Sequence, residues 1–189
     1  LGIEATGIDV NSACSSFGAQ MHLLRGLAAG QALPPYVLVV NPENTTRVVN
    51  YNDRSTAVLW GDGTSAAVVS GTVPSRVRIT SSYLESSPAG WRAVTIPRMG
   101  HFTQDGSAVQ RFAIKTSLMC LEPMIPIGRA KVAETGGTLR FIGHQANLLM
   151  LQSVVKRAGI DGAQHWFNIT DYGNTGAAGA PTVLSQNWN

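Results

Sequence analysis

Apolar and polar positions along the chain switch between two periods, and each switch marks an element. Ile8 and Val10 read as the end of a buried strand. From Ser15 onward, Phe17, Met21, Leu24 and Ala28 fall at helical spacing, with Gly30 as the stop. Tyr36-Val37-Leu38-Val39-Val40 follows a Pro pair and predicts a central strand, with a loop through Asn41-Pro42-Glu43-Asn44 behind it. A strand, a helix and a strand joined by short connections predict a parallel, right-handed crossover. The polar stretch Asn50 to Arg54 reads as loop. Ala57-Val58-Leu59-Trp60 and Ala66-Ala67-Val68-Val69 then flank Gly61-Asp62-Gly63-Thr64. This Gly-Asp-Gly lacks the Lys and the helix that a phosphate-cradling loop needs, so it predicts a structural turn where backbones approach closely.

The second half repeats the theme. Val77 and Ile79 alternate within Arg76–Tyr83 and predict a strand, and residues 86–103 are a Gly-, Pro- and Ser-rich loop. Residues 107–134 predict a helix with Val109, Phe112, Ala113, Met119 and Cys120 facing inward, bent or split by Pro123 and Pro126. Leu139–Gly143 is a short strand that delivers His144-Gln145-Ala146-Asn147. Leu148, Leu151 and Val155 carry a helix on to Gly159. Trp166–Ile169 is another such strand, and the Gly-rich run from Tyr172 to Pro181 is a turn that feeds a helix of small residues.

Composition narrows the class. With 44% hydrophobic and 13% charged residues in 189, the chain is neither disordered nor fibrous and can bury a sizeable core. A net charge of +3 suits an anionic substrate or carrier, and no basic run with interleaved aromatics argues for nucleic acid. The two cysteines, Cys14 and Cys120, make a disulfide framework improbable and a reducing, cytoplasmic setting the expectation. No signal peptide is recognisable and no apolar run is long enough to span a membrane. The chain starts without Met, Gly2 to Ala5 leads almost directly into the first candidate residue, and Val183 to Trp188 reads as a closing helix. The expectation is a fragment lacking both flanks.

The candidate chemistry sits at three strand ends. Cys14, among the small residues Ala13, Ser15 and Ser16, stands where a helix starts, and helix-terminal N–H groups favour a thiolate. The alternative is an inert buried cysteine; Cys120, with no polar company, reads that way. His144 and Asn174 follow two other strands. In open α/β sheets ligands bind beyond the carboxyl ends of strands, so a nucleophile, a proton or hydrogen-bond partner and a polar donor converge on one pocket. Papain-like proteases also order Cys, His and Asn in this way with similar spacing. They carry a Cys-Gly-Ser-Cys-Trp-like signature, however, where this chain has Ser12-Ala13-Cys14-Ser15-Ser16.

Four blocks, namely the surroundings of Cys14, Gly61-Asp62-Gly63-Thr64-Ser65-Ala66-Ala67-Val68, Gly143-His144-Gln145-Ala146-Asn147, and Tyr172-Gly173-Asn174-Thr175-Gly176-Ala177-Ala178, together resemble β-ketoacyl-acyl-carrier-protein synthase III. The resemblance covers essentially the whole chain. It implies an α/β thiolase-like fold of duplicated αβαβα layers, incomplete here, with residues 1–75 as the latter part of the first half and 76–189 as most of the second. It implies a condensing enzyme of ping-pong type. Cys14 takes the acyl group from an acyl-CoA, and His144 and Asn174 stabilise the enolate of a malonyl thioester, borne by acyl carrier protein or CoA. Arg54, Gly106 and Asn147 are the implied CoA- or substrate-binding positions, with helix capping as the alternative for Asn147. The same resemblance implies no metal and no cofactor beyond the CoA thioester substrate, a homodimer, and neither nucleic acid nor membrane as partner. Gly176 and Gly179 stand where housekeeping enzymes commonly carry Ser, and Ser15-Ser16 replaces Ala-Gly; these departures predict a widened or reshaped pocket. The second expectation is therefore a secondary-metabolism acyltransferase to oxygen or nitrogen. A papain-like protease and a silent heterodimer subunit rank below it.

Overall fold

The computed structural model describes residues 2 and 4–188; Ile3, within the lead Gly2–Ala5, lies outside the described residues. Its first regular element is α1 (Ser16–Ala29), preceded by a 3-10 turn over Ala13–Ser15 and ended by Gly30. Leu24 is buried, while Phe17 and Met21 are half-buried, so the predicted helical stripe is real, although Ala28 at its end is exposed. The expected strand through Ile8 and Val10 is absent: this stretch is irregular and Ile8 is 82% exposed.

The predicted central strand forms as β1 (Val37–Glu43) and runs three residues further than expected, through Asn41, Pro42 and Glu43. It pairs with β2 (Gly63–Val69), from Val37 opposite Val69 to Glu43 opposite Gly63. The pairing is antiparallel, which replaces the parallel crossover. With residues 4–12 in no strand, β1 finds its partner in the next run of alternating residues rather than the previous one. In a two-stranded sheet every second N–H points away from the partner, so a proline is tolerated. Side chains alternate faces along a strand. Val39 and Asn41 are buried, and Glu43 shares their face, whereas Leu38 and Val40 face outward.

Between these strands Asp53 caps the short helix α2 (Arg54–Ala57), its side chain accepting from Ser55 N–H. The predicted strand at Arg76–Tyr83 is irregular, and the loop beyond it holds a two-residue hairpin, β3 (Val94–Thr95) with β4 (Thr103–Gln104). The long helix α3 (Gly106–Thr135) is not split by Pro123 and Pro126. None of its residues is buried. Val109, Ala113 and Cys120 are half-buried, and Phe112 and Met119 are exposed, against expectation. The reason is what α3 packs on: it meets α4 (Leu148–Arg157) across an open groove and, beyond that, touches the 3-10 turn Pro88–Ala93.

The core lies beside α4, which buries Met150, Leu151, Val154 and Val155, and beneath α6 (Gly179–Gln186), which buries Val183 completely. Burying one such side chain is worth about 1.5–3 kcal/mol, so this cluster anchors the second half. The strands expected at Leu139–Gly143 and Trp166–Ile169 reduce to one parallel bridge, Phe141 with His165, and α5 (Ile169–Tyr172) begins where the second was expected to end.

Candidate active site

The turns that carry Cys14 and His144 border one segment, 174–179, which begins with Asn174. Asn174 is pinned from below by the strand-like run at Trp60. Its N–H donates to Leu59 O at 2.8 Å, its carbonyl accepts from Gly61 N–H at 3.1 Å, and Trp60 and Asn174 form a parallel bridge. A Cβ on Gly61 would collide with the Tyr172 carbonyl. The Gly-Asp-Gly is thus the close-approach turn its residues predict, and it is what seats Asn174. The Asn174 side chain is buried, and its Oδ1 accepts from Gly176 N–H at 3.0 Å. That bond assigns the amide's orientation, since Nδ2, its donor end, must point the other way. Among the described residues Nδ2 has no acceptor.

The 3-10 turn holding Cys14 packs directly against the turn 176–178. Ala13, just before the cysteine, has φ +46°, a left-handed conformation that strains a residue with a side chain. Three side-chain bonds hold it. Ala13 N–H donates to Asn11 Oδ1 at 3.0 Å, Ser12 N–H to Ser16 Oγ at 2.9 Å, and Ser16 O–H to Ala13 O at 2.7 Å. Cys14 itself is half-buried. The expected depression of its pKa is not found. Burial pushes the thiol up and the negative charge of Glu43 adds to that, while only the cysteine's own backbone N–H acts the other way. Cys14 lies in a separate turn ahead of α1 rather than at the helix's own amide cluster.

His144 reaches the same segment through its neighbour. Gln145 is wholly buried; its Nε2 donates to Gly143 O at 2.7 Å and its Oε1 accepts from Asn168 N–H at 3.0 Å. A Cβ on Gly179 would lie 3.1 Å from Gln145 Cβ, so the histidine's turn is stacked on the start of α6. Burial pushes the His144 imidazole down to about 4, which keeps it neutral near pH 7. A neutral imidazole still carries one N–H and can donate it without bringing a positive charge.

The other predicted positions stay outside this convergence. Arg54 is exposed at the start of α2, and Gly106 is exposed at the start of α3. Asn147 Oδ1 accepts from Met150 N–H at 3.0 Å and caps α4, the alternative considered for it. Gly176 and Gly179 do not widen a pocket. The space beside the first is taken by the Glu43 carboxylate and that beside the second by Gln145. The sequence pattern places Glu43 in a loop. The period-2 alternation Val39, Asn41, Glu43 would have placed it on the buried face, had Pro42 not masked the strand. Among the described residues no group of three or more His, Cys, Asp or Glu side chains is placed to hold a metal ion, and no helix is long and apolar enough to cross a membrane.

Comparison with known proteins bears on this arrangement. Residues 8–88 match the family described as 3-oxoacyl-acyl-carrier-protein (ACP) synthase III, and residues 135–189 match its C-terminal region. A β-ketoacyl-acyl-carrier-protein synthase III from Halalkalibacterium halodurans is 31% identical over 97% of this chain and 58% of its own length. The synthase III structure from Thermus thermophilus aligns with a TM-score of 0.76 at 24% identity, over 96% of this chain and 58% of that one. A priming β-ketosynthase from a polyketide biosynthetic pathway aligns with a TM-score of 0.76 at 26% identity, over 96% of this chain and 57% of that one. The chain thus spans somewhat more than half the length of the proteins it matches, and its fold is theirs, the thiolase-like α/β fold.

Proposed function

The chain belongs to the 3-oxoacyl-acyl-carrier-protein synthase III family, and on that premise we propose that it is the catalytic part of an acyl-transferring condensing enzyme. The observation that carries the reading is the convergence of the Cys14 turn, the His144 turn and Asn174 on the segment 174–179.

In the first half-reaction Cys14 sulfur attacks the carbonyl of an acyl-CoA. The new carbon–sulfur bond forms, the bond to CoA sulfur breaks, and the thiol proton leaves with CoA. Because the resting thiol is held protonated by burial and by Glu43, that proton has to depart as the bond forms. In the second half-reaction a malonyl thioester loses carbon dioxide. The electron pair of the broken carbon–carbon bond becomes an enolate, whose oxygen accepts from Asn174 Nδ2–H and the neutral His144 ring. The enolate carbon then attacks the acyl group, and Cys14 leaves as thiolate and regains a proton. Donors fixed before the charge develops cost no reorganisation, and losing one typically raises the barrier by about 2.7–4 kcal/mol.

The malonyl group is carried by acyl carrier protein in this proposal. The groove between α3 and α4, about 820 Å³, is lined by apolar residues such as Leu118, Ile125 and Ala158 and by Arg111, Lys115 and Arg157 against one acid, Glu122, and this positive excess suits a chain that ends in an anionic phosphodiester. Arg54, Gly106 and a homodimeric assembly remain parts of the same proposal, supported by family membership alone. Transfer to oxygen or nitrogen has no observation in its favour, since Glu43 and Gln145 fill the space beside Gly176 and Gly179, and Ser16 of the Ser15-Ser16 pair is spent on the Cys14 turn. Family membership removes the protease reading. Incubation with radiolabelled acyl-CoA is expected to label the protein at Cys14; label that persists in Cys14→Ala overturns the assignment.

A further inference from the structure

We propose that Glu43 is a positioning residue of this site: its carboxylate clamps the turn that follows Asn174 and places a negative charge at the turn against which Cys14 packs. The inference rests on the condensing-enzyme reading and adds a residue to it.

The geometry is specific. Glu43 is the last residue of β1, on the face shared with Val39 and Asn41, and β1 packs against the turn 176–178. Its Oε1 accepts from Ala177 N–H at 2.7 Å. Its carboxyl atoms stand 2.5–2.8 Å from where a Cβ on Gly176 would be, and Gly176 has φ +55°. A carboxylate therefore fills the place of a side chain at 176, and the left-handed backbone lets the next amide turn toward it. The two bonds act in series. Glu43 holds Ala177, and Gly176 N–H holds Asn174 Oδ1, so the donor end of Asn174 is aimed by a chain that starts at Glu43. Bonds to an ionised acceptor are the stronger kind.

The same carboxylate acts on the nucleophile. The Cys14 turn packs against turn 176–178, which carries no charge, and against α1, which carries His22 and Arg25. His22 is bonded to Ser82. Asp62, across a small hollow from Glu43, is engaged by the amide and hydroxyl of Thr46. Of these groups, Glu43 is the one whose charge reaches the thiol, and it opposes ionisation. The result is a resting thiol in an enzyme whose acyl donor must arrive before the proton goes, which protects the sulfur from oxidation and from stray electrophiles.

Glu43→Gln and Glu43→Ala separate the two roles. Glutamine keeps an oxygen to accept from Ala177 N–H and removes the charge; alanine removes both. In the full chain, the pH midpoint for alkylation of Cys14 by iodoacetamide is expected to fall in both variants, by about half a unit or more. Hydrogen exchange at the Ala177 amide is expected to stay slow in Glu43→Gln and to accelerate about tenfold or more in Glu43→Ala. Malonyl-thioester decarboxylation is expected to follow the exchange, not the midpoint. An unchanged midpoint in Glu43→Gln, or Ala177 protection and decarboxylation that survive in Glu43→Ala, overturns the inference. Alkylation and exchange need no turnover, so a protein that decarboxylates nothing would overturn the enzyme reading while still deciding the clamp and the charge.

Discussion

The Ser16 hydroxyl donates to the carbonyl of Ala13 at 2.7 Å, and Ala13 is the left-handed residue that turns the chain into Cys14. The same oxygen accepts from Ser12 N–H at 2.9 Å, so one buried hydroxyl closes the elbow from both sides. The serine pair after the cysteine looks like a change in pocket shape when only the sequence is considered. In the fold, its second member is instead a latch on a strained backbone.

Removing the latch should be costly. Ser16→Ala takes the hydroxyl from the Ser12 amide and from the Ala13 carbonyl, which keeps only the backbone N–H of residue 16, and so loosens the strained turn. An unfolding free energy lower by about 1–3 kcal/mol is expected. The midpoint of urea unfolding checks this, and the rate of Cys14 acylation should fall alongside it. A variant with unchanged stability and unchanged acylation would show that Asn11 alone holds the turn.

Much of the candidate site is legible in the sequence. Cys14, His144 and Asn174 stand out because each sits in a block of small or glycine residues at the end of an apolar run, a pattern that depends on local sequence only. The Gly61 turn was legible for the same reason. What was not legible depends on partners distant in the chain. The orientation of β1 is decided by β2, not by residues 8–10. The inward face of α3 is decided by α4, so its apolar residues border a groove rather than a core. The thiol's raised pKa comes first from burial and then from Glu43, whose place in the fold depends on the hairpin register.

Asn147 offers a clean separation of scaffold from ligand. Its Oδ1 caps α4 through Met150 N–H, and Lys156 and Arg157 at the other end of α4 already suit its dipole. Asn147→Ala is expected to cost about 0.5–2 kcal/mol of stability, whereas Asn147→Asp keeps an accepting oxygen and should cost little. The KM for acyl-CoA should be the same in all three proteins. A KM that rises in Asn147→Asp, with stability intact, would return the residue to the binding site.

Acid should loosen the fold in a window set by His144. In the folded protein its ring titrates near 4, and in the unfolded chain near 6.5. Between these values the unfolded chain binds the extra proton, so stability is complete above about pH 6.5 and falls as pH drops toward 4, by about 3 kcal/mol at most. The lowered pKa of His165, also caused by burial, acts in the same direction. Asp53, Asp62 and Asp105 are held below 3.8 by hydrogen bonds from neighbouring hydroxyls and amides, so their own loss comes at lower pH. Urea midpoints measured from pH 7.5 to 4.5 should slope downward, and His144→Gln should flatten part of the slope. An identical slope in that variant would mean that the ring is not desolvated.

The division of labour between the half-reactions can be read from Asn174. Its backbone is pinned at both faces by Leu59 and Gly61, and its Oδ1 is committed to Gly176. Asn174→Ala therefore leaves the main-chain path in place and removes the amide at both ends, the donor Nδ2 and the Oδ1 that accepts from Gly176 N–H. The acyl-enzyme should still form at Cys14 within a few-fold of the normal rate, because that step develops its charge on a different carbonyl. Malonyl decarboxylation should fall by about 10²–10³, the usual effect of one missing donor to an oxyanion. Asn174→Asp should be as impaired as alanine or worse, since it sets a negative charge against the forming enolate. Single-turnover labelling with acyl-CoA, run beside release of carbon dioxide from labelled malonyl thioester, measures both steps on one preparation. Equal loss in the two steps would mean that Asn174 shapes the Cys14 turn rather than the enolate, since the turn 176–178 touches both.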